Sequence, residues 1–366
     1  FFTAKLHGIQ KNQFLYDRDG QLWIGSEEGL YHVYSGAFTT FKKEYLPQVW
    51  SILEDDKANM WFASFHFGLK QYDGMSLQTY PGTGGSGKFS GFYFHPSRDR
   101  QGRLHFPYNY GVMVLSGRSA KSIGTNPPYL STFYDKERDL LWAGSMKKAE
   151  VFDGNHRLIR SIGIKEGLAT QRYILCIQKD AGGNYWLGST GALSKYRWET
   201  GELTNYTVEN RRLPSERILT ICTDFRKRTW FGSSEGLLWY DAVRDSICRL
   251  VCDDLNESVN LIAAIDSSWL LVSQPAGIYL MDLQAYYTSG EVKLHLFNSV
   301  NGFTGIEPGQ DGAFTDSKGN IWMNTGTEVV RLDPRKLRMS HPALNMRISR
   351  INGQNIPFSQ KKTVFP

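Results

Sequence analysis

Asp180-Ala181-Gly182-Gly183-Asn184-Tyr185-Trp186-Leu187-Gly188 is the stretch that decides the fold, because the chain repeats it. Asp17 to Gly25 and Asp316 to Asn324 carry the same phrase, an Asp followed six residues later by Trp. The Trp, or its substitute, falls at Trp23, Trp61, His105, Trp142, Trp186, Trp230, Trp269 and Trp322, so eight copies follow one another at intervals of about forty residues. Asp17, Asp55, Asp99, Asp180, Asp224 and Asp316 keep the six-residue gap, copy four has one extra residue (Asp135 to Trp142), and copy seven is shortened to Asp266-Ser267-Ser268-Trp269.

Each copy continues in the same way. Small residues follow the Trp, as in Gly188-Ser189 and Gly232-Ser233, then a Gly with an apolar or bulky residue, as in Gly29-Leu30-Tyr31 and Gly277-Ile278-Tyr279, then a last short run such as Leu203 to Tyr206. The runs are four to six residues long, rich in β-branched and aromatic types, and bounded by Gly, Asp, Asn and Ser, which is strand-and-turn chemistry. No copy places apolar residues at every third and fourth position as a helical repeat would. Four strands at this period predict an all-β fold, a β-propeller of four-stranded blades. The Asp is expected to accept backbone N–H bonds in the first turn, where Gly or Asn takes the left-handed conformation, and the Trp to pack between blades. Repetition assigns these residues to the scaffold, since a ring has one ligand site and not eight.

A ring must join its last blade to its first or leave an open edge. The last copy supplies three strands, Gly312–Thr315, Ile321–Asn324 and Glu328–Leu332, and Phe1 to Lys5 precede the first inner strand, Gln13–Tyr16. The expectation is therefore eight blades, with Phe1–Lys5 completing the last. Seven is the alternative if a weak copy is degenerate, and the third copy is the weakest because His105 replaces Trp. The propeller is assigned to residues 1–336. After Asp333-Pro334 the pattern changes, and 337–366, with Leu344–Ile351, reads as a linker and a first strand of an incomplete further domain.

Composition fits an all-β protein: 366 residues with 10 Trp, 19 Tyr and 21 Phe give ample material for inter-sheet packing. No window of eighteen apolar residues occurs. No signal peptide is evident; the chain opens inside a repeat, so the expectation is a portion of a larger protein. The net charge of +6 is dispersed and gives no reason to expect nucleic acid. Cys176 and Cys222 lie in expected inner strands of adjacent blades; Cys248 and Cys252 are about 13 Å apart if extended, too far to pair. The four thiols read as inert, the eight His are scattered without paired spacing, and no metal or other cofactor is expected. Gly82 to Gly87 lacks the Lys-Ser/Thr of a phosphate-binding loop and reads as a flexible connection.

The phrase Asp-x-x-Gly-x-x-Trp-Ile/Leu-Gly-Ser/Thr followed by Gly-Leu and Tyr resembles the two-component regulator propeller repeat, over about residues 1–336, and the tail Asp333–Phe358 is similar to the start of the immunoglobulin-like domain that follows such propellers. The resemblance implies the periplasmic sensor portion of a Bacteroides-type hybrid two-component system. In that family the portion recognises oligosaccharides and passes the signal through a homodimer and an inner-membrane segment to a histidine kinase. The large hybrid sensors of the family carry two seven-bladed propellers, whereas eight copies and one closure are read here. The sialidase Asp-box differs, with five residues from Asp to Trp. A glycosidase propeller also needs a central carboxylate pair, and none stands out.

A ligand would sit on the face formed by the loops between second and third strands and by the connections between blades. Residues there that break the repeat are the candidates. They are Trp50, Phe65, His66, Tyr108, Tyr110, Lys147, Arg172, Tyr173, Arg217 and Glu307. Aromatic faces stack on sugar rings, and Arg, Lys and amide groups bond hydroxyls and carboxylates. The structural alternative is that Phe65 plugs the ring, that Trp50 and Tyr173 are core, and that His66 is an ordinary loop histidine. No catalytic set is legible, so this portion is expected to be a binding module; a propeller lyase or glycosidase and a protein-interaction scaffold are the alternatives.

Overall fold

In a computed structural model, residues 13–16, 22–26, 29–33, 36–337, 350–351 and 354–355 are described, apart from 86, 126–127, 171, 300–301, 306–307 and 327. The chain forms two compact units. One, from Ser35–Leu337, holds seven four-stranded antiparallel sheets. The other draws on Phe1–Tyr34 and Arg338–Pro366; its described residues form a three-stranded sheet (Gln13–Tyr16, Leu22–Ser26, Gly29–Val33) and a two-residue pair, Arg350–Ile351 with Gln354–Asn355.

The seven sheets are the blades of a propeller. Blade one runs from Val49 to Thr79, blade two from Ser97 to Ile123, blade three from Tyr129 to Gly163 and blade four from Ile174 to Thr207. Blade five runs from Ile218 to Arg249 and blade six from Ile262 to Phe297. Blade seven takes three strands from the last copy (Pro308–Thr315, Ile321–Thr325, Val329–Leu332) and its outer strand from Phe38–Phe41. Val330 faces Thr40 and Leu332 faces Phe38 across that antiparallel join. Phe41 packs on Trp322 and Tyr72, with ring centroids 5.2 and 5.6 Å away.

This corrects the expected count of eight. The first copy is not a blade of the ring: its first three strands belong to the other unit, and only its outer strand enters the propeller, as the closing strand. Phe1–Lys5, expected to close the ring, lie outside the described residues. Leu344–Ile351, expected to open an immunoglobulin-like domain, is described only at Arg350 and Ile351.

The repeated phrase is a hydrogen-bonded clasp. Asp55 Oδ1 accepts the backbone N–H groups of Lys57 and Asn59, and Oδ2 accepts Asn59 Nδ2 and the indole Trp61 Nε1, all at 2.9 Å. Asp180, Asp224 and Asp316 take Trp186, Trp230 and Trp322 in the same way, each at 2.8 Å. The six-residue spacing is thus the length of turn that brings a buried indole N–H back to the carboxylate. In the fourth copy the extra residue alters this: Asp135 accepts the Tyr185 hydroxyl of the next blade and Lys179 instead. Most of these Trp rings are almost fully buried between blades, where Trp142 stacks on Tyr185 at 4.2 Å and Trp186 meets Tyr240 edge-on at 4.8 Å.

Because the strands alternate in direction, the clasp turns all lie on one face of the ring. The second-to-third turns and the blade connections lie on the opposite face, hereafter the loop face. Between them runs a central channel of about 320 Å³ lined by inner-strand residues such as Gln178, Thr223, Ala264 and Thr315. All four cysteines are free, and Cys176 and Cys222 border the channel.

Candidate functional site at the mouth of the channel

On the loop face, the residue eleven before the Trp anchor occupies the channel mouth. Counting from Trp61, His105, Trp186 and Trp230 gives Trp50, Phe94, Leu175 and Leu219. Leu130 takes that place in the copy with the extra residue. Leu130, Leu175 and Leu219 pack into one buried cluster, against which Tyr93, Phe94 and Tyr173 lie.

Over this apolar floor stands an aromatic group. The Trp50 ring stacks on Phe94 with centroids 5.3 Å apart and planes 1° from parallel. Phe65 closes on Trp50 at 5.0 Å and on Tyr93 at 5.4 Å, and His66 meets Phe65 edge-on at 4.8 Å. Trp50, Phe65, Tyr93 and Phe94 are half-buried. Their backbones are tied across blades: Ser51 Oγ donates to the Tyr93 carbonyl at 2.6 Å, Gly91 N–H to the Phe65 carbonyl at 3.0 Å, and Gly85 N–H to the His66 carbonyl at 2.9 Å. The Tyr93 hydroxyl donates to Asn109 Oδ1 at 2.9 Å, and its pKa is raised by burial and by the neighbouring Tyr173. Such a group is held in place by its own loops, so its exposed faces are preorganised rather than collapsing on each other.

Cationic side chains follow around the rim. Lys147, at a left-handed φ of 62°, donates its backbone N–H to the Arg172 carbonyl at 2.6 Å, and Met146 bridges Tyr173. Arg217 bridges Thr190 and its carbonyl accepts Ser234 N–H at 3.2 Å. Lys147, Arg172 and Arg217 are exposed and form no ion pair among the described residues.

Of the sequence candidates, then, Trp50, Phe65, His66 and Tyr173 gather at the mouth, and Lys147, Arg172 and Arg217 stand on the loops beside it. Tyr108 does not: it is buried, its hydroxyl donates to Ser122 Oγ at 2.8 Å, and it packs on Phe89 and Phe92 between blades one and two. Tyr110 is exposed on the next turn and touches Tyr108 edge-on. Glu307 lies outside the described residues. Tyr93 and Phe94 were not among the sequence candidates. The count of eleven residues back from His105 would have found Phe94.

One group of donors could hold a cation. Asp99, His105 and His156 bring one ligand atom each within 4.8 Å of one another. The place is already served by a fixed cation: Arg103 Nε lies 2.5 Å from Asp99 Oδ2, and Arg103 Nη1 lies 3.4 Å from His156 Nδ1. His105 Nε2 and His156 Nε2 are 2.9 Å apart, so one ring donates to the other. Burial, with neighbouring cations, lowers His105 to about 3 and His156 to about 4, keeping both rings neutral. The group is a structural replacement for the missing Trp, joining blades two and three.

No protein-family model and no characterised protein sequence matches the chain. Solved structures do. The extracellular domain of the hybrid two component system BT3049 from B. thetaiotaomicron superposes with a TM-score of 0.74 at 16% identity, over 95% of this chain and 50% of that one. The extracellular domain of BT4673 from the same organism gives 0.63 at 14% identity, over 87% and 45%. The chain therefore spans about half the length of these two. Streptogramin B lyase also matches, with a TM-score of 0.62 at 12% identity, over 81% of this chain and 97% of the lyase. At these identities the likeness establishes the propeller fold. It is met by sensor domains and by an enzyme alike.

Proposed function

We propose that this chain is the ligand-binding portion of an extracytoplasmic two-component sensor that receives an oligosaccharide on the aromatic mouth of its channel. The reading rests on one observation, the half-buried, parallel-stacked Trp50–Phe94 pair walled by Phe65 and Tyr93. Trp50 and Phe94 put aromatic rings at the repeat position where Leu175 and Leu219 stand, and the group offers flat apolar faces to a sugar ring. The likeness to the extracellular domains of hybrid two component systems supports the sensor class. In this reading the parent protein is a histidine kinase of the inner membrane. The ligand side is periplasmic, binding rearranges a homodimer, and the propeller itself turns nothing over. Among the described residues no helix is long and apolar enough to cross a membrane.

Calorimetric titration with a panel of oligosaccharides tests the reading. A binder is expected, and Trp50→Ala should weaken it at least tenfold. Binding indifferent to Trp50→Ala and Phe65→Ala, or a broad panel with no binder, would reject the mouth as the site. Release of shorter products from a polysaccharide would favour the lyase or glycosidase alternative.

A further inference from the structure

The rim of the mouth divides by chemistry. The stacked rings come from blade one and from the connection into blade two, whereas the floor is made by Leu130, Leu175 and Leu219 of blades three, four and five. Tyr173, which neighbours Tyr93 and lies against that floor, joins the two sides. On the leucine side the loops carry the exposed Lys147, Arg172 and Arg217; Arg172 and Arg217 stand three and two residues before Leu175 and Leu219.

Lys147 occupies a place that does not suit it. Its turn, Met146-Lys147, matches Thr190-Gly191 of blade four. Lys147 donates its backbone N–H to the Arg172 carbonyl and Gly191 donates to the Glu216 carbonyl, each at 2.6 Å. Both backbones are left-handed, at φ 62° and 90°. Glycine takes that conformation freely and lysine takes it only at a cost. The hydrogen bond needs no side chain, so the turn gives no reason for a lysine, and strain kept without structural return points to function. Arg217 likewise departs from its neighbour. It lies thirteen residues before Trp230, as Tyr173 lies before Trp186, and each bridges the preceding second-to-third turn. Against the three cations, residues 146–147, 172–173, 190–191 and 216–217 hold one carboxylate, Glu216. Other basic groups of the adjoining loops are matched: Lys148 by Glu150, Arg212 by Asp245 and Arg249 by Glu235. An excess of positive charge beside an apolar floor attracts an anion.

We infer that the sugar received at the mouth is acidic. One ring stacks on Trp50 and Phe94, and a carboxylate or sulfate on that ring or the next reaches over the leucine floor to Lys147, Arg172 and Arg217. This rests on the reading of the mouth as an oligosaccharide site and adds the charge of its ligand. Guanidinium groups bond such oxygens in pairs, and an ammonium meets them as a point charge.

Calorimetry on the full chain tests this with oligouronate tetrasaccharides beside their carboxyl-reduced forms, and sulfated tetrasaccharides beside their desulfated forms. An acidic sugar should bind about tenfold tighter or more than its neutral counterpart, with an affinity that falls as ionic strength rises. The pair that shows the difference tells carboxylate from sulfate. Lys147→Gly, Arg172→Gln and Arg217→Gln together should abolish the preference, and Glu216→Gln should enlarge it. Lys147→Gly alone should weaken the acidic sugar without lowering the urea midpoint, since it relieves the left-handed strain. Trp50→Ala should weaken acidic and neutral sugars alike. Neutral sugars that bind as tightly as acidic ones, and still depend on Trp50, overturn the inference and leave the mouth as the site. A preference for acidic sugars that survives the triple substitution overturns the role of these cations. Binding indifferent to Trp50→Ala, or a panel without a binder, rejects the mouth and the inference with it.

Discussion

Replacing Asp316 by Ala should cost about 4 kcal/mol, because the clasp in the closing blade cannot be rehydrated. Asp316 Oδ1 accepts the N–H groups of Lys318 and Asn320 at 2.9 and 2.8 Å; Oδ2 accepts Asn320 Nδ2 and Trp322 Nε1, both at 2.8 Å. Lys318 is exposed and can turn to water, so its bond counts for little. Asn320 and Trp322 are only 6% and 3% exposed, and their donors are left unpaired. Each such donor costs about 1–3 kcal/mol; the Asn320 N–H and Trp322 Nε1, which have no freedom to turn to water, give about 2–6 kcal/mol, with Asn320 Nδ2 free to rotate. Urea unfolding gives the number as a fall in midpoint at constant m. A cycle with Trp322→Phe isolates the Asp–Trp term, expected at about 1–2 kcal/mol of coupling. Burial alone would raise the Asp316 pKa, but the bonds from Trp322 and Asn320 outweigh it and hold it below the usual carboxylate value. The stabilisation is therefore complete above the unfolded pKa and disappears as pH falls through the folded one. Asp316→Ala should accordingly lose part of the acid limb of the stability curve. A loss under 1 kcal/mol at neutral pH, or no coupling to Trp322, would refute the clasp as the energetic basis of the repeat.

Three other outcomes are expected. Burial lowers His95 and His105 to about 3 and His156 to about 4, against an unfolded value near 6.5. Folding therefore excludes protons that the unfolded chain accepts, and stability should decline as pH drops below about 6.5, by at most about 1.4 kcal/mol per pH unit for each ring; His156→Gln should flatten that slope in denaturation curves taken between pH 7 and 4. Phe41→Ala removes the ring that seats the closing strand on Trp322 and Tyr72, and should cost about 2–3 kcal/mol in chemical denaturation. Gly232→Ala would set a Cβ 2.4 Å from the Val259 carbonyl oxygen and from Thr220 Cγ2, and should cost about 1–3 kcal/mol in the same assay, whereas Gly74→Ala, with open space around it, should cost only its left-handed strain.

What the sequence disclosed and what it withheld divide along the range of the interactions. The strands, the Asp turn and the interblade Trp were legible because each is written inside one copy, the clasp itself within the seven residues from Asp55 to Trp61. The closing strand was not. Phe38–Phe41 follows the first copy directly and reads as its fourth strand, yet it pairs with Val329–Leu332 nearly three hundred residues away. Nothing in a four-residue strand identifies its partner, because the same alternation serves any open edge. At the mouth, Trp50, Phe65 and His66 were found as departures from the repeat. Tyr93 and Phe94 were hidden behind an inner strand reduced to Ser97–Arg98 and a glycine-rich connection that obscured the register. Tyr108 misled for the opposite reason: its residue type suits a ligand, but its strand turns it into the space between blades, where Ser122 satisfies its hydroxyl.

The same division explains why the two faces of the ring differ in freedom. On the clasp face four first-to-second turns return a carboxylate to a buried indole six residues on, so substitutions there leave donors unpaired. On the loop face the second-to-third turns need only reverse the chain, and Thr190-Gly191, Met146-Lys147 and Phe65-His66-Phe67 all do so. Variation can therefore accumulate at the mouth without unfolding a blade, and the stacked Trp50–Phe94 pair stands where that freedom is greatest. The clasps of Asp55, Asp180, Asp224 and Asp316 are each complete within their own blade.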